Sequence, residues 1–107
     1  MSTVTLTQAD NSKTVDVRRG DTIVVQLAEN PTTGFRWAAD NLDEQVVKPQ
    51  NDSYSPASGG GVGGGGTRTF TLLAAGAGTA PLRFKLWREW EGDKSITQRF
   101  EVNLRVS

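Results

Sequence analysis

The side chains of this chain offer little catalytic chemistry. Its 107 residues include no cysteine and no histidine. This excludes disulfides, thiolate chemistry, the usual zinc sites and every nucleophile that a histidine activates. Neighbouring carboxylates occur at Asp43 with Glu44 and at Glu89 with Glu91, but a domain of this size offers little of the cleft that paired-carboxylate hydrolysis needs. We therefore expect solvated surface charges, no cofactor and no enzymatic activity.

The charge balance excludes two further classes of partner. Twelve Lys and Arg residues match twelve Asp and Glu residues, so the formal net charge is zero and the pI is near 6.2. Electrostatic binding to nucleic acid or to a membrane surface needs a basic surplus, which is lacking here. No apolar run approaches the ~20 residues of a membrane-spanning helix, and no signal peptide is visible. As written the chain would be cytoplasmic, or periplasmic or secreted if a signal had been removed.

Three segments carry residue types suited to binding. In the first, at residues 30–35, Pro31 would limit the entropy lost on docking, and the short threonine side chains of the segment could enter a narrow cleft. A structural turn also fits these residues. The glycine-rich second segment is either a mobile linker or a loop whose backbone can approach a partner. In the third, Trp90 is either an anchor for a partner or a cover for the core. The first segment contains Asn30, Pro31, Thr32, Thr33, Gly34 and Phe35, the second Gly61, Val62, Gly63, Gly64, Gly65 and Gly66, and the third Arg88, Glu89 and Trp90.

The elements that must position these segments are β-strands. Apolar and polar residues alternate almost throughout, and no run of eleven residues has a helical stripe. The pattern predicts one domain over residues 1–107, an all-β antiparallel β-sandwich with Trp37 in its core; a small closed barrel is the alternative. The predicted strands cover residues 4–6, 15–17, 23–27, 36–39, 46–50, 67–74, 82–86 and 100–106, and turns that join tight pairs cover 19–21, 75–78 and 91–94.

Strand parity predicts that the three segments meet in space. They follow the second, fourth and sixth strands of the main sandwich when residues 4–17 count as one split strand. Alternate connections of a sandwich lie at the same end. We therefore expect the three segments to form one cluster.

Three motifs along nearly the whole chain resemble those of the chagasin-type inhibitors of cysteine peptidases. They are Asn30-Pro31-Thr32-Thr33-Gly34-Phe35, the glycine-rich loop leading to Thr67-Arg68-Thr69-Phe70, and Arg88-Glu89-Trp90. The resemblance implies an immunoglobulin-like β-sandwich without disulfides. It also implies reversible, non-covalent inhibition of papain-like (clan CA, family C1) cysteine peptidases such as papain and cathepsin L-like enzymes, by a monomer.

The resemblance also implies a role for each segment. Residues 30–35 would enter the active-site cleft beside the catalytic cysteine, residues 61–66 would lie along one side, and residues 88–90 would grip the other. Two features depart from the family pattern, since Glu89 stands where proline is usual and the glycine run is long. Glu89 is expected to free the third segment and to add a negative charge.

Two rival functions fit the residues. A carbohydrate-binding or adhesion sandwich would use Trp87, Trp90 and Tyr54 as stacking platforms, and it predicts a planar aromatic row on one sheet face. A purely structural module is the other rival.

Overall fold

The computed structural model describes residues 2–30, 33–40, 42–56 and 65–107. Two four-stranded sheets, in the orders β1-β3-β6-β5 and β2-β8-β7-β4, pack face to face. Short 3₁₀ turns cover Gln8–Asp10, Glu89–Glu91 and Asp93–Ser95. The strands are β1 (Thr3–Thr7), β2 (Thr14–Val17), β3 (Thr22–Glu29), β4 (Arg36–Ala39), β5 (Val47–Pro56), β6 (Gly66–Ala74), β7 (Gly78–Trp87) and β8 (Gln98–Val106).

The predicted β-sandwich is confirmed, and each predicted strand is present. Both sheets are mixed rather than wholly antiparallel, because β1 pairs with β3 and β2 pairs with β8 in parallel. These pairs arise because the chain passes from the first sheet to the second after β1 and returns after β2. Alternation of apolar residues reports which face is buried, but not which strand is the neighbour.

Two of the three predicted turns therefore connect different strands from those expected. The turn at residues 19–21 and the turn at 75–78 were expected to join tight pairs, but each carries the chain between the two sheets. The turn at 91–94 does lie between hydrogen-bonded neighbours, β7 and β8.

The core fills the space between the sheets with alternate side chains from both. Phe84 lies at its centre, with ring centroids 4.5 Å from Phe70 and 6.3 Å from Phe100. Trp37 is buried in this core, as predicted. No helical segment in the described part of the chain is long and apolar enough to span a membrane.

The strands run between two ends of the sandwich. We call one end the loop pole; the register there pairs Glu29 with Gly66 and Arg36 with Trp87. We call the other end the turn pole; there the Ala74 N–H donates to the Asp21 carbonyl, and the Ala74 carbonyl accepts the Gly20 N–H. All three segments of interest connect strand ends at the loop pole.

Candidate functional site

The first segment contains a turn that hydrogen bonds of Thr33 stabilise. Thr33 donates its backbone N–H to the Asn30 carbonyl at 3.2 Å and its hydroxyl to the same oxygen at 2.8 Å. The Thr33 hydroxyl also accepts the Phe35 N–H at 3.4 Å. Gly34 has φ near 80°, a conformation that side chains disfavour. Pro31 and Thr32 lie outside the described residues.

The third segment forms a compact 3₁₀ turn after β7. The Arg88 N–H donates to Ser95 Oγ at 2.9 Å, and that hydroxyl lies 2.7 Å from the Gly92 carbonyl oxygen. This serine therefore ties the two ends of the turn. Trp90 projects from the turn with 72% of its surface exposed, unlike the buried aromatic residues of the core.

An arginine joins the first and third segments. The Arg88 guanidinium donates to the Thr33 carbonyl from Nη2 at 3.1 Å and from Nε at 3.3 Å. Its Cζ lies 4.5 Å from the centroid of the Phe35 ring, and its Nη1 lies 3.1 Å from Glu91 Oε2. One guanidinium therefore binds backbone, ring and carboxylate together.

The exposed indole packs against Gly34 of the first segment. A Cβ placed on Gly34 would lie 2.9 Å from Trp90 Cη2 and 3.7 Å from Arg88 Nε. The close approach is possible only because residue 34 has no side chain. The first and third segments thus form one continuous edge, as the parity argument predicted.

Glu89, which stands where the family usually has proline, begins the 3₁₀ turn at Glu89–Glu91. The backbone N–H of a first helical residue has no acceptor within the helix, so proline is accommodated there. Arg88 before it is extended, with φ −98° and ψ 110°, which also suits a residue that precedes proline. The position therefore remains compatible with the family's proline.

The described part of the second segment lies against the first. A Cβ on Gly65 would be 3.3 Å from the Glu29 carbonyl oxygen and 3.8 Å from Asn30 Cβ. Gly66 is the first residue of β6, and a Cβ there would overlap the Ser55 carbonyl oxygen. Asn30, Thr33 and Gly65 line a shared depression of about 610 Å³. Gly61, Val62, Gly63 and Gly64 lie outside the described residues.

The sequence analysis missed a buried ion pair beneath these segments. Glu29 is 3% exposed and Arg68 is 9% exposed, and Arg68 Nη2 lies 2.8 Å from Glu29 Oε2. The alternation of buried and exposed residues could have indicated this pair. Glu29 falls on the buried side of β3, and Arg68 falls on the buried side of β6. A charged residue on the buried side of a strand is rarely fully buried unless it is paired.

The other charged and aromatic residues fit no catalytic or sugar-binding site. Asp43, Glu44 and Glu89 are exposed, as predicted, whereas Glu91 is partly buried because it pairs with Arg88. The described residues contain no cluster of three potential metal ligands. Tyr54 lies on β5 of one sheet and Trp87 on β7 of the other, where Lys85 Nζ lies 3.6 Å from the indole centroid. With Trp90 on a turn, the aromatic row that the carbohydrate-binding hypothesis predicted is absent from these three residues.

The arrangement defines a binding protein that presents loops at one end of a β-sandwich. The model of the Chagasin family peptidase inhibitor I42 matches residues 16–104. The chain is 32% identical over 107 residues to chagasin of Trypanosoma cruzi, covering 95% of this chain and 96% of chagasin. The chain therefore belongs to the chagasin family of peptidase inhibitors.

Solved structures share the fold. A cysteine protease inhibitor from Entamoeba histolytica superposes with a TM-score of 0.85 at 20% identity, covering 100% of this chain and 97% of that chain. PbICP-C, solved in complex with falcipain-2, superposes with a TM-score of 0.71 at 10% identity, covering 98% of this chain and 89% of that chain. The predicted fold class is thus confirmed by both relatives.

Proposed function

We propose that the chain inhibits papain-like cysteine peptidases reversibly and non-covalently, with the loop pole closing the active-site cleft. The observation that carries this proposal is the exposed Trp90 indole resting on Gly34, because it makes one protruding edge from two remote segments. Membership of the chagasin family supports the activity. The complex of PbICP-C with falcipain-2 supports a peptidase as the partner.

The residues take the roles that the motifs suggest. The first segment, Asn30 to Phe35, occupies the cleft beside the catalytic cysteine. The glycines of residues 61–66 lie along one wall with their backbone, and Arg88, Glu89 and Trp90 contact the other wall. Trp90 is the anchor, since a large rigid aromatic residue contributes much contact area at low entropic cost.

The geometry of Thr33 explains why the first segment would inhibit without being cleaved. A scissile carbonyl must be free to accept hydrogen bonds from the oxyanion hole of the peptidase. The Thr33 carbonyl already accepts two hydrogen bonds from the Arg88 guanidinium. The Thr33 carbonyl would therefore have to give up its hydrogen bonds to Arg88 before it could enter an oxyanion hole, which disfavours cleavage of the Thr33–Gly34 bond.

Titration of papain tests the proposal. We expect saturable inhibition by the wild-type chain that is reversed on dilution. Trp90→Ala removes the anchor and should raise the inhibition constant about thirtyfold, the cost of losing one hot spot. Arg19→Ala, an exposed position at the turn pole, should change it by less than about twofold, as is usual for surface substitutions.

Two results would contradict the proposal. One is unaltered papain activity at micromolar concentrations of the wild-type chain. The other is equal inhibition by Trp90→Ala and wild type, which would place the contact surface elsewhere.

A further inference from the structure

The buried pair Glu29–Arg68 lies where the first and second segments leave the sandwich. Glu29 is the last residue of β3 and precedes Asn30, while Arg68 is the third residue of β6 and follows Gly66. The ladder places Arg68 opposite Leu27, so both charged side chains face inward. The apolar inner face of these two strands therefore ends, at the loop pole, in an ion pair.

Arg68 donates to both oxygens of the Glu29 carboxylate, and its Nε reaches Oε1 at 3.4 Å. Oε2 accepts from Arg68 Nη2 at 2.8 Å and from Nε at 3.2 Å. Oε1 accepts the backbone N–H of Trp37 at 2.7 Å, and the Trp37 indole N–H donates to the Ala28 carbonyl at 2.7 Å. Glu29 precedes the first segment and Trp37 follows it. The carboxylate therefore joins the two strands, β3 and β4, that flank this segment.

The guanidinium of Arg68 extends the same network to the second segment. Arg68 belongs to β6, which follows that segment, and it also approaches β5, which precedes it. Its Nη1 lies 3.8 Å from Asp52 Oδ2, and its Cζ lies 5.6 Å from the centroid of the Tyr54 ring. The strands on both sides of the second segment are thus linked to the Glu29 carboxylate.

Stability alone does not account for charges at this position. A well-packed apolar pair of similar volume stabilises a fold as much as a buried ion pair does, or more, because burying two charges carries a desolvation cost. What the ion pair adds is direction, since the carboxylate must meet a planar guanidinium and a backbone N–H at fixed angles.

We propose that Glu29 and Arg68 are positioning residues for inhibition, which fix the ends of the first and second segments relative to each other. They act through the segments and need not touch the peptidase. The inference rests on the proposed function: a prealigned edge loses less entropy on docking and dissociates more slowly.

Paired variants separate positioning from stability. Glu29→Met/Arg68→Met replaces the ion pair by apolar side chains, which offset its loss, but it removes the acceptor of the buried Trp37 N–H, so the melting temperature should fall by several degrees. We expect its inhibition constant for papain to rise about tenfold through faster dissociation. Glu29→Gln/Arg68→Met keeps an amide oxygen for the Trp37 N–H but not the link to β6, so it should melt near the wild type and recover only part of the inhibition.

A purely structural role predicts a different result. In that case the Met/Met variant would inhibit as the wild type does in spite of its lower melting temperature, and the Gln/Met variant would inhibit no better than the Met/Met variant. Either outcome would overturn the proposal. If the wild-type chain itself fails to inhibit papain, the proposed function fails, and a second measurement still decides the positioning role.

That measurement is hydrogen exchange of the free wild-type chain, which needs neither a variant nor an enzyme. If Glu29 joins the strands that flank the first segment, the Trp37 amide exchanges as slowly as the ladder amide of Val25 in the centre of β3. Exchange of Trp37 as fast as that of the exposed amides around it would show that the carboxylate does not hold it, and would overturn the inference.

Discussion

The two ends of β3 each bury a carboxylate, and the two are held differently. Asp21 stands before the strand at the turn pole, and Glu29 ends it at the loop pole, about 26 Å away along an eight-residue strand. Asp21 accepts the backbone N–H groups of Arg18 and Ser2, both at 2.9 Å. Glu29 accepts one backbone N–H and needs the guanidinium of a residue 39 positions away.

The difference shows what each pole requires. At the turn pole, two backbone donors satisfy the carboxylate, one from the same turn and one from the residue before β1. The contact therefore needs β1 beside β3 but no side-chain partner. At the loop pole, the partner comes from β6, which follows the second segment, so the contact forms only when β3 and β6 are paired next to that segment. The same chemical group closes a turn at one end and aligns a binding edge at the other.

Substitution of a glycine with positive φ by alanine, at the loop pole or at the turn pole, should have the largest effect and tests this contrast most strongly. Gly34 at the loop pole and Gly78 at the turn pole both have positive φ, so alanine is strained at either position, at about 1–2 kcal/mol in the left-handed region. A Cβ on Gly34 also displaces the Trp90 indole, whereas one on Gly78 meets only Val46 Cγ2 at 3.3 Å. Gly34→Ala should raise the inhibition constant about tenfold or more.

Gly78→Ala is the matched control for that prediction. It should lower the melting temperature by about 4–8 °C for each kcal/mol of strain and leave inhibition of papain unchanged. Equal effects of the two substitutions on inhibition would mean that stability, rather than the loop edge, governs binding.

Glu89→Pro should have a smaller effect, in the opposite direction. Proline fits the first position of the 3₁₀ turn after the extended Arg88, and it restricts the free chain by about 0.4–1 kcal/mol. We expect inhibition to tighten by about two- to fivefold, with a higher melting temperature. Glu89→Gln separates the charge from the backbone effect. Weaker inhibition by the proline variant would indicate that Glu89 itself contacts the peptidase.

Asp21→Asn should leave inhibition unchanged and lower the stability near neutral pH. The Arg18 and Ser2 amides that donate to the Asp21 carboxylate hold its pKa below the ordinary value of 3.8. A lowered folded-state pKa stabilises the native state above the unfolded-state pKa, and that stabilisation is lost as the pH falls through the folded-state pKa. The wild type should therefore melt above Asp21→Asn at pH 6.

Thermal unfolding of both chains over a pH series measures the effect. The gap between their melting temperatures should narrow below pH 3.8. A gap that is constant with pH would show that the Asn variant loses packing rather than a stabilising charge.

Much of the fold could be read from the sequence because one face of each strand is buried. Val102, Leu104 and Val106 alternate with polar residues and are all buried in β8. Strand partners were harder, since the parallel pairs β1–β3 and β2–β8 depend on crossings between sheets that alternation does not record. The 3₁₀ turn carrying Trp90 was not predicted, because three residues are too few for a periodic signal.

The site was predicted in part for the same physical reasons. The motif residues Thr33, Gly34 and Trp90 stood out by type, and parity brought them together. The partners of Arg88 and Glu29 could not be predicted. Strand phase places Glu29 on the buried side of β3, but no local pattern shows which distant group pairs with a charged side chain. Only the packed structure shows that Arg88 binds the Thr33 carbonyl and that Glu29 binds Trp37.

Hydrogen exchange of the chain, alone and bound to papain, tests the central claim most directly. The account predicts that papain slows exchange of backbone amides at residues 33–35, 65–67 and 88–92, while those at residues 18–21 and 75–78 of the turn pole keep their free rates. Slowed exchange at the turn pole, with the loop pole unchanged, would contradict the claim that the loop pole is the peptidase-binding surface.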